Sequence, residues 1–236
     1  MSESLTFTTY QFQEFEELCV RMGTVHSRQI LLIPPLFDES NRMRRFLVQV
    51  MRVLNDKGVG TALLDFPGSN ESLFNQDQAT LTLWQAAIKA CAEQLNIDHY
   101  VASFRGGALL NDDLPHAAHW RFSPAVGKIL LRAMMRTRIA SDKEDGITTT
   151  MDMLTEKARI ETIELAGNTL GTNMIRELAN ATNRKLDNCR TVRLTGDNKP
   201  ADAYLDGSAL WLRAEPGEDA DLAAFLAADL AAWRAE

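Results

Sequence analysis

Cysteine and histidine are both scarce in this chain of 236 residues. The three cysteines, Cys19, Cys91 and Cys189, are odd in number and far apart in the sequence, which argues against a disulfide framework and a cysteine-based metal site. We expect three reduced thiols, mostly buried, and neither a metal nor another cofactor. The last of the four histidines is His119, so the sequence after that residue offers no imidazole as a catalytic base.

Long apolar runs and an excess of positive charge are also missing. No stretch approaches the roughly 18–20 apolar residues of a membrane span, and the first residues lack the basic and apolar segments of a signal peptide. The net charge is −7 and the isoelectric point is about 5.2, which disfavour nucleic acid or an anionic membrane as the main partner. The expected location is the cytoplasm.

Strand-like and helix-like apolar patterns alternate along the first half of the chain. Residues 29–35, 59–66 and 99–104 are predicted to be buried strands. Between them, apolar residues at helical spacing predict helices over 41–57 and 80–95. Strand–helix–strand units with short links indicate a mostly parallel sheet flanked by helices, so the predicted fold class is α/β.

The second half adds further strands around a helical segment. The predicted strands cover 117–122, 189–195 and 209–214. The predicted helices cover 124–140, 148–165, 172–182 and 221–233. We therefore predict a small helical cap over 141–186, which is inserted between a first core part, 1–140, and a final core part, 187–236.

A glycine turn with an arginine at its tip follows the third predicted strand. Residues 101–107 read VASFRGG, and Ser103 to Gly107 fit the small–x–nucleophile–x–glycine frame of a nucleophile elbow, which is a sharp turn from strand to helix. The nucleophile position holds Arg105, whose guanidinium cannot attack a carbonyl group. The sequence thus predicts an elbow without a nucleophile.

The other members of a Ser-His-Asp triad are incomplete as well. The base position, after the last predicted strand, holds Glu215 instead of a histidine, and Asp197 could occupy the acid position. Among alternative nucleophiles, Ser103 lies inside a strand, Ser123 is suited to cap the following helix, and Cys189 opens a buried strand. Hydrolysis by the standard triad is therefore not expected.

Arg105 could bind an anion. It is predicted to stand at a helix N-terminus, where the Gly106 and Gly107 amides and the helix dipole attract negative charge. Its guanidinium could hold a carboxylate or phosphate there in bidentate fashion. Glu39 and Asn41, which follow the first predicted strand, would complete this ligand site.

A second role for Arg105 is equally open. It could form a buried salt bridge with Glu39 or Glu215 that only stabilises the fold. The same two carboxylates could also perform general acid–base chemistry together with Arg105. The sequence does not give the distance between them.

Two groups of basic residues stand on predicted helices. The first opens the helix over 41–57 and is predicted to be a solvated helix face. Its members are Arg42, Arg44 and Arg45. In the second, Lys128, Arg132 and Arg136 share one stripe of the helix over 124–140. This stripe is either simply exposed or binds an acidic polymer or partner.

One more loop completes a resemblance. The stretch DFPGSNES over 65–72 follows a predicted strand and resembles the D-x-x-G-x-G-x-S loop of α/β-hydrolases, with Asn70 at the second glycine. With the elbow arginine and the stretches IPPLFDESNRMRR, IELAGNTLG and WLRAEPGED, the sequence is similar to hydrolase-like proteins associated with exosortase A and exopolysaccharide loci in Gram-negative bacteria. The similarity covers nearly the whole chain. It implies an α/β-hydrolase fold and a setting of surface polysaccharide, but no particular substrate.

These observations lead to two functional hypotheses. In the first, the chain is a pseudoenzyme or binding protein of exopolysaccharide or exosortase systems, and its ligand is a small anion or a carbohydrate. In the second, it is a non-standard hydrolase or acyltransferase that acts on an ester or glycan with Arg105, Glu39 and Glu215. A homodimer is compatible with either hypothesis.

Overall fold

A computed structural model describes residues 5–114 and 117–233. Ten strands occur in these ranges: β1 (Thr6–Phe12), β2 (Phe15–Met22), β3 (Gln29–Ile33), β4 (Gly60–Leu64), β5 (Tyr100–Phe104), β6 (Ala118–Phe122), β7 (Ile163–Leu165), β8 (Asn168–Leu170), β9 (Cys189–Leu194) and β10 (Ala203–Leu205). Eight of them form one sheet in the order β1-β2-β4-β3-β5-β6-β9-β10, while β7 and β8 form a separate hairpin. The six strands from β4 to β10 in this order run parallel, and β1 and β2 add an antiparallel edge.

Six α-helices of the described part of the chain connect and cover the strands. They are α1 (Asp38–Asp56), α2 (Leu81–Leu95), α3 (Gly127–Glu144), α4 (Met151–Ile160), α5 (Thr172–Asn180) and α6 (Ala220–Ala232). The side chains of Thr80, Thr150 and Asp219 accept hydrogen bonds from the first turns of α2, α4 and α6 and so fix where these helices begin. Short 3₁₀ helices cover Gln76–Gln78, Arg105–Asp113 and Leu210–Leu212.

The sheet divides the interior into two hydrophobic cores, because successive residues of each strand point to opposite faces. In β3, for example, Ile30 and Leu32 pack against α1 and α6, whereas Leu31 and Ile33 pack on the side of α2. Parallel strands end at the same edge of the sheet, so the loops after β3, β4 and β5 meet there. The α/β fold with a mostly parallel sheet is confirmed.

The predicted strand over 209–214 is wrong. This segment forms the 3₁₀ helix Leu210–Leu212, and the last strand is the earlier β10. A helical turn buries Leu210 and Trp211 together and leaves Leu212 exposed, which alternation along a strand would not do. The hairpin of β1 and β2 was not predicted either, because its largely exposed first strand has no continuous apolar pattern.

The pattern of the segment 141–186 predicted only helices, but the structure also contains two strands there. Helix α3 continues to Glu144, and the hairpin of β7 and β8 lies between α4 and α5. Ala166 and Gly167 form the two-residue turn of this hairpin, both with positive φ angles. Alanine is unusual in the first of these positions, which explains why the turn was missed. The division of the chain at 140 and 186 stays a prediction.

Across the described ranges, no helix has both the length and the apolar character that crossing a membrane requires.

Candidate active site

Arg105 stands at a strained turn at the end of β5. Its φ angle is 54°, in the left-handed region that side chains rarely adopt, and the 3₁₀ helix Arg105–Asp113 begins at this residue. Gly107 lies against the loop after β3, where a Cβ atom would overlap the carbonyl oxygen of Pro34. The sharp turn from strand to helix is therefore the predicted elbow, although the helix that follows is 3₁₀ rather than α.

The guanidinium of Arg105 is held from three sides. Its Nε and Nη2 donate to the two carboxylate oxygens of Glu39, each at 3.1 Å, and its Nη1 donates to the carbonyl oxygen of Ser123 at 2.9 Å. The ring of Trp211 covers its face at 4.1 Å from the centroid. These contacts combine a bidentate ion pair with cation–π stacking, so they fix both the position and the plane of the guanidinium.

Glu39 is the buried partner of this arginine. It lies in the first turn of α1 and its residue surface is only 7% exposed. Burial raises the pKa of Glu39, and the facing Arg105 opposes that rise without cancelling it. A small cavity of about 50 Å³ adjoins Glu39 and Trp211, which is the volume of roughly two water molecules. The pair thus leaves little free space at the elbow.

A larger cavity of about 190 Å³ lies beside the elbow, between the loops after β3 and β4. It is lined by Pro35, Phe37, Ser40, Asn41, Phe66, Ser69, Asn70, Gln76, Trp84, Gly167 and Asn168. None of these described residues carries a charge. The hairpin of β7 and β8 closes one side, because Gln76 accepts from the Thr169 amide at 2.6 Å and donates to Asn168 at 3.3 Å. Of the predicted ligand residues, Asn41 lines this cavity, whereas Arg105 and Glu39 do not.

Several solved structures have an architecture similar to that of this chain. The structure of Est1E from Butyrivibrio proteoclasticus with bound ferulic acid superimposes with a TM-score of 0.58 at 16% identity, over 96% of this chain and 100% of that one. The α/β-hydrolase domain-containing protein 10 from mouse gives a TM-score of 0.53 at 16% identity, over 80% of this chain and 77% of that one. The chain has the α/β-hydrolase fold.

Other comparisons are more limited. Epoxide hydrolase A from Mycobacterium thermoresistibile matches with a TM-score of 0.42 at 12% identity, and the match spans 50% of this chain but only 39% of that one. No protein-family model matches the sequence, and no curated protein is similar to it.

The remaining triad candidates of the hydrolase fold do not join Arg105. Glu215 is exposed, and the carboxylate that pairs with Arg105 is Glu39. Asp197 accepts from Arg193 at 2.8 Å and from the Lys199 amide at 3.1 Å. Within the described ranges, the structure therefore brings Arg105 and Glu39 together and leaves Glu215 and Asp197 outside the pair.

Ser123 does not cap α3, contrary to the sequence-based expectation. The helix begins at Gly127, and the residue at its N-cap is Val126, which makes no side-chain capping bond. A φ angle of 42° turns the backbone of Ser123 so that its carbonyl oxygen faces Arg105. Ser103 is buried within β5, and its hydroxyl donates to the carbonyl oxygen of Trp120 at 3.4 Å. Neither serine stands at the tip of the turn, which Arg105 occupies.

The three described histidines interact with residues other than Arg105 and Glu39. His26 hydrogen-bonds Asn55, His99 lies 3.4 Å from Asp98, and His119 hydrogen-bonds the carbonyl oxygen of Leu114. His116 lies outside the described residues. Over 5–114 and 117–233, no three histidine, cysteine or acidic side chains lie close enough together to hold a metal ion.

The arginines at the start of α1 are not simply a solvated face. Arg44 pairs with the buried Asp65 in bidentate geometry, and Arg42 donates to the carbonyl oxygen of Trp211 at 2.9 Å. Together with Arg105, Arg42 therefore fixes Trp211 over the elbow. Sequence reasoning missed these roles, because each of them joins segments that are far apart in the chain. The only local hint was the clustering of arginines beside the first predicted strand.

Proposed function

We propose that this protein does not catalyse hydrolysis and instead binds a neutral sugar residue in the cavity between the loops after β3 and β4. The observation that carries the proposal is the closed pair of Arg105 and Glu39. It fills the nucleophile position with a guanidinium whose contacts are made within the chain. A hydrolase fold without nucleophile and late histidine has lost the groups that acyl transfer needs.

The cavity has the chemistry of a sugar site. The side chains of Asn41 and Asn70 form no hydrogen bond with any described residue, and an amide can both donate and accept, as sugar hydroxyl groups do. Phe37, Phe66 and Trp84, whose rings contact one another, add apolar surface to the lining. At about 190 Å³ the cavity has the volume of roughly six water molecules, which suits one sugar ring rather than a large ligand.

An anionic ligand at Arg105 is less favoured by this geometry. Such a ligand would have to displace Glu39 and leave its buried carboxylate without a partner. The described residues that line the neighbouring cavity carry no cation that could replace Arg105. A neutral sugar requires neither change. The proposed setting in exopolysaccharide or exosortase systems rests on the sequence resemblance.

The test is a binding screen by protein-observed NMR with glucose, galactose, mannose, N-acetylglucosamine, glucuronate and their short oligomers. We expect a neutral sugar to shift the amide signals of the loops after β3 and β4. Asn41→Leu should weaken its binding about fivefold, the equivalent of one hydrogen bond. Asn173→Leu, which removes an exposed amide from the first turn of α5, is the matched control.

Two results would overturn the proposal. One is the absence of binding by every neutral sugar at concentrations up to 100 mM, on the order of the weakest useful affinities. The other is preferential binding of glucuronate, sulfate or malonate that Arg105→Ala abolishes, which would establish the anion site at the elbow instead.

Catalysis through a non-standard set of residues is the second candidate function. The raised pKa of the buried Glu39 favours it, because burial that raises the pKa of a carboxyl group is one way in which enzymes prepare a general acid. A panel of p-nitrophenyl esters at high protein concentration tests it. Turnover that both Arg105→Ala and Glu39→Gln abolish would support catalysis, and we expect none above the rate in buffer.

A further inference from the structure

A second cavity, of about 650 Å³, lies among α3, α4 and α5. Its apolar residues come from all three helices: Leu131 and Met135, Met151 and Ala158, Ile175 and Ala179. It is separate from the elbow, because Leu130 and Met134, on the neighbouring face of α3, turn towards Leu36 and Trp211 instead. A concave apolar space of this volume is in the range of small-molecule sites.

Several cationic side chains also line this cavity. Lys128, Arg132, Arg159 and Arg176 line the cavity, while the only acidic residue among the described lining residues is Asp152. Arg159 pairs with Glu156 at 2.8 Å. Lys128, Arg132 and Arg176 form no ion pair with any described residue. This local excess of positive charge stands out in a chain whose net charge is −7.

The stability of the fold does not explain these charges. Lys128 and Arg132 are four residues apart on α3, where two like charges repel and disfavour the helix. Arg176 on α5 lines the same cavity and adds to the repulsion. Exposed cations that converge on an apolar space without acidic partners are suited to an anionic group that arrives with a ligand.

We propose that this cavity binds a free single-chain amphiphile with a phosphate head. The chain would lie on the apolar surface formed by Leu131, Met135 and Ile175. Arg132, Arg176 and Lys128 would bind the phosphate, whose oxygens match the donors of a guanidinium. A concave cavity of this size favours one molecule in solution over the flat surface of a membrane.

The probe is dodecyl phosphate, titrated below its micelle concentration and followed by calorimetry. Dodecyl maltoside carries the same chain without the charge, and butyl phosphate carries the same head on a short chain. We expect dodecyl phosphate to bind at least about tenfold more tightly than either control, since both parts of the site contribute.

Charge reversals locate the site. Arg132→Glu and Arg176→Glu should each weaken binding at least about tenfold. Arg136→Glu is the matched control, because Arg136 is exposed on the same helix and does not line the cavity. Circular dichroism and thermal unfolding confirm that each variant is folded. Asn41→Leu should leave dodecyl phosphate binding unchanged, so this site and the sugar site are tested separately.

Several outcomes would overturn the proposal. Equal affinity for dodecyl maltoside would remove the role of the charge, and equal affinity for butyl phosphate would remove the role of the chain. Unchanged binding by Arg132→Glu would place the ligand elsewhere. Binding to phosphatidylglycerol vesicles that Arg136→Glu weakens as much as Arg132→Glu does would identify a membrane surface instead. No measurable binding of dodecyl phosphate would reject the site.

Discussion

The carboxylate of Glu39 faces the guanidinium of Arg105 through two hydrogen bonds of 3.1 Å, at the turn where an α/β-hydrolase carries its nucleophile. Both side chains are about nine-tenths buried, and the ring of Trp211 covers the guanidinium. In this chain that turn carries one member of a buried ion pair. Its consequences for stability and activity can be measured.

Removal of Arg105 alone should destabilise the fold strongly. Arg105→Met leaves the carboxylate of Glu39 buried without a partner, and the expected loss is about 3–5 kcal/mol of unfolding free energy. The double variant Arg105→Met/Glu39→Leu should recover most of it, because both charges are gone. Urea unfolding of the four proteins gives the coupling energy. If the losses of unfolding free energy in the two single variants simply add up to the loss in the double variant, the pairing of these two residues is contradicted.

A serine at position 105 should not restore esterase activity. The chain has no histidine after His119, so the hydroxyl group would lack a general base. In the Glu39→Leu background, which avoids an unpaired carboxylate, Arg105→Ser and Arg105→Ala should hydrolyse p-nitrophenyl acetate equally slowly. Faster turnover by the serine variant would reveal a base that the structure has not identified.

The two glycines of the elbow should differ in their tolerance of a methyl group. A Cβ atom on Gly107 would overlap the backbone oxygen of Pro34, which cannot move aside easily, so Gly107→Ala should cost about 1–3 kcal/mol. A Cβ atom on Gly106 would meet the side chains of Leu130 and Leu36, which can shift. Gly107→Ala should therefore have a lower midpoint temperature of thermal unfolding than Gly106→Ala. The reverse order would contradict this account of the turn.

Asp229 on α6 should make stability depend on pH. Burial acts to raise its pKa, but hydrogen bonds from Arg190 and Trp120 outweigh burial and hold the pKa below its ordinary value of 3.8. A lowered pKa contributes stability that is present above the unfolded-state value and is lost as the pH falls through the folded-state value. Asp229→Asn should remove this contribution, about 1–3 kcal/mol.

Urea unfolding between pH 7 and pH 3 measures this effect. The gap in unfolding free energy between the native protein and Asp229→Asn should be constant above about pH 5 and should narrow below about pH 4. Asp56→Asn, at an exposed position near the end of α1, is the matched control. A gap that does not change with pH would show that the carboxylate contributes through packing alone.

Local signals in the sequence were sufficient for much of the fold. The strands β3, β4, β5 and β6, the helices α1 and α2 and the turn at Arg105 all follow from apolar periodicity and glycine position, which act over a few residues. The secondary-structure predictions that were wrong concern segments whose local signals are weak or unusual. The hairpin of β7 and β8 turns at an alanine, and Leu210–Leu212 is an apolar run too short to distinguish a strand from a helical turn.

The sequence predicted which residues belong to the candidate site, but not which of them contact one another. From the sequence, the partner of Arg105 could be Glu39, Glu215 or an external anion. No local pattern identifies the partner, because these residues lie on separate segments. The packing of the start of α1 against the elbow brings Glu39 to Arg105. The roles of Trp211 and of the Ser123 carbonyl oxygen depend on the same packing.

The sequence by itself thus determined the alternation of strands and helices, the arginine at the elbow, and the lack of a histidine after His119, since these depend on residue identity and on neighbours along the chain. Only the tertiary structure decided that Glu39 pairs with Arg105, that Asn41 faces a neutral cavity, and that the cations of α3 and α5 converge on an apolar one. Such contacts join residues that are far apart in sequence, and they are set by how the helices pack on the sheet.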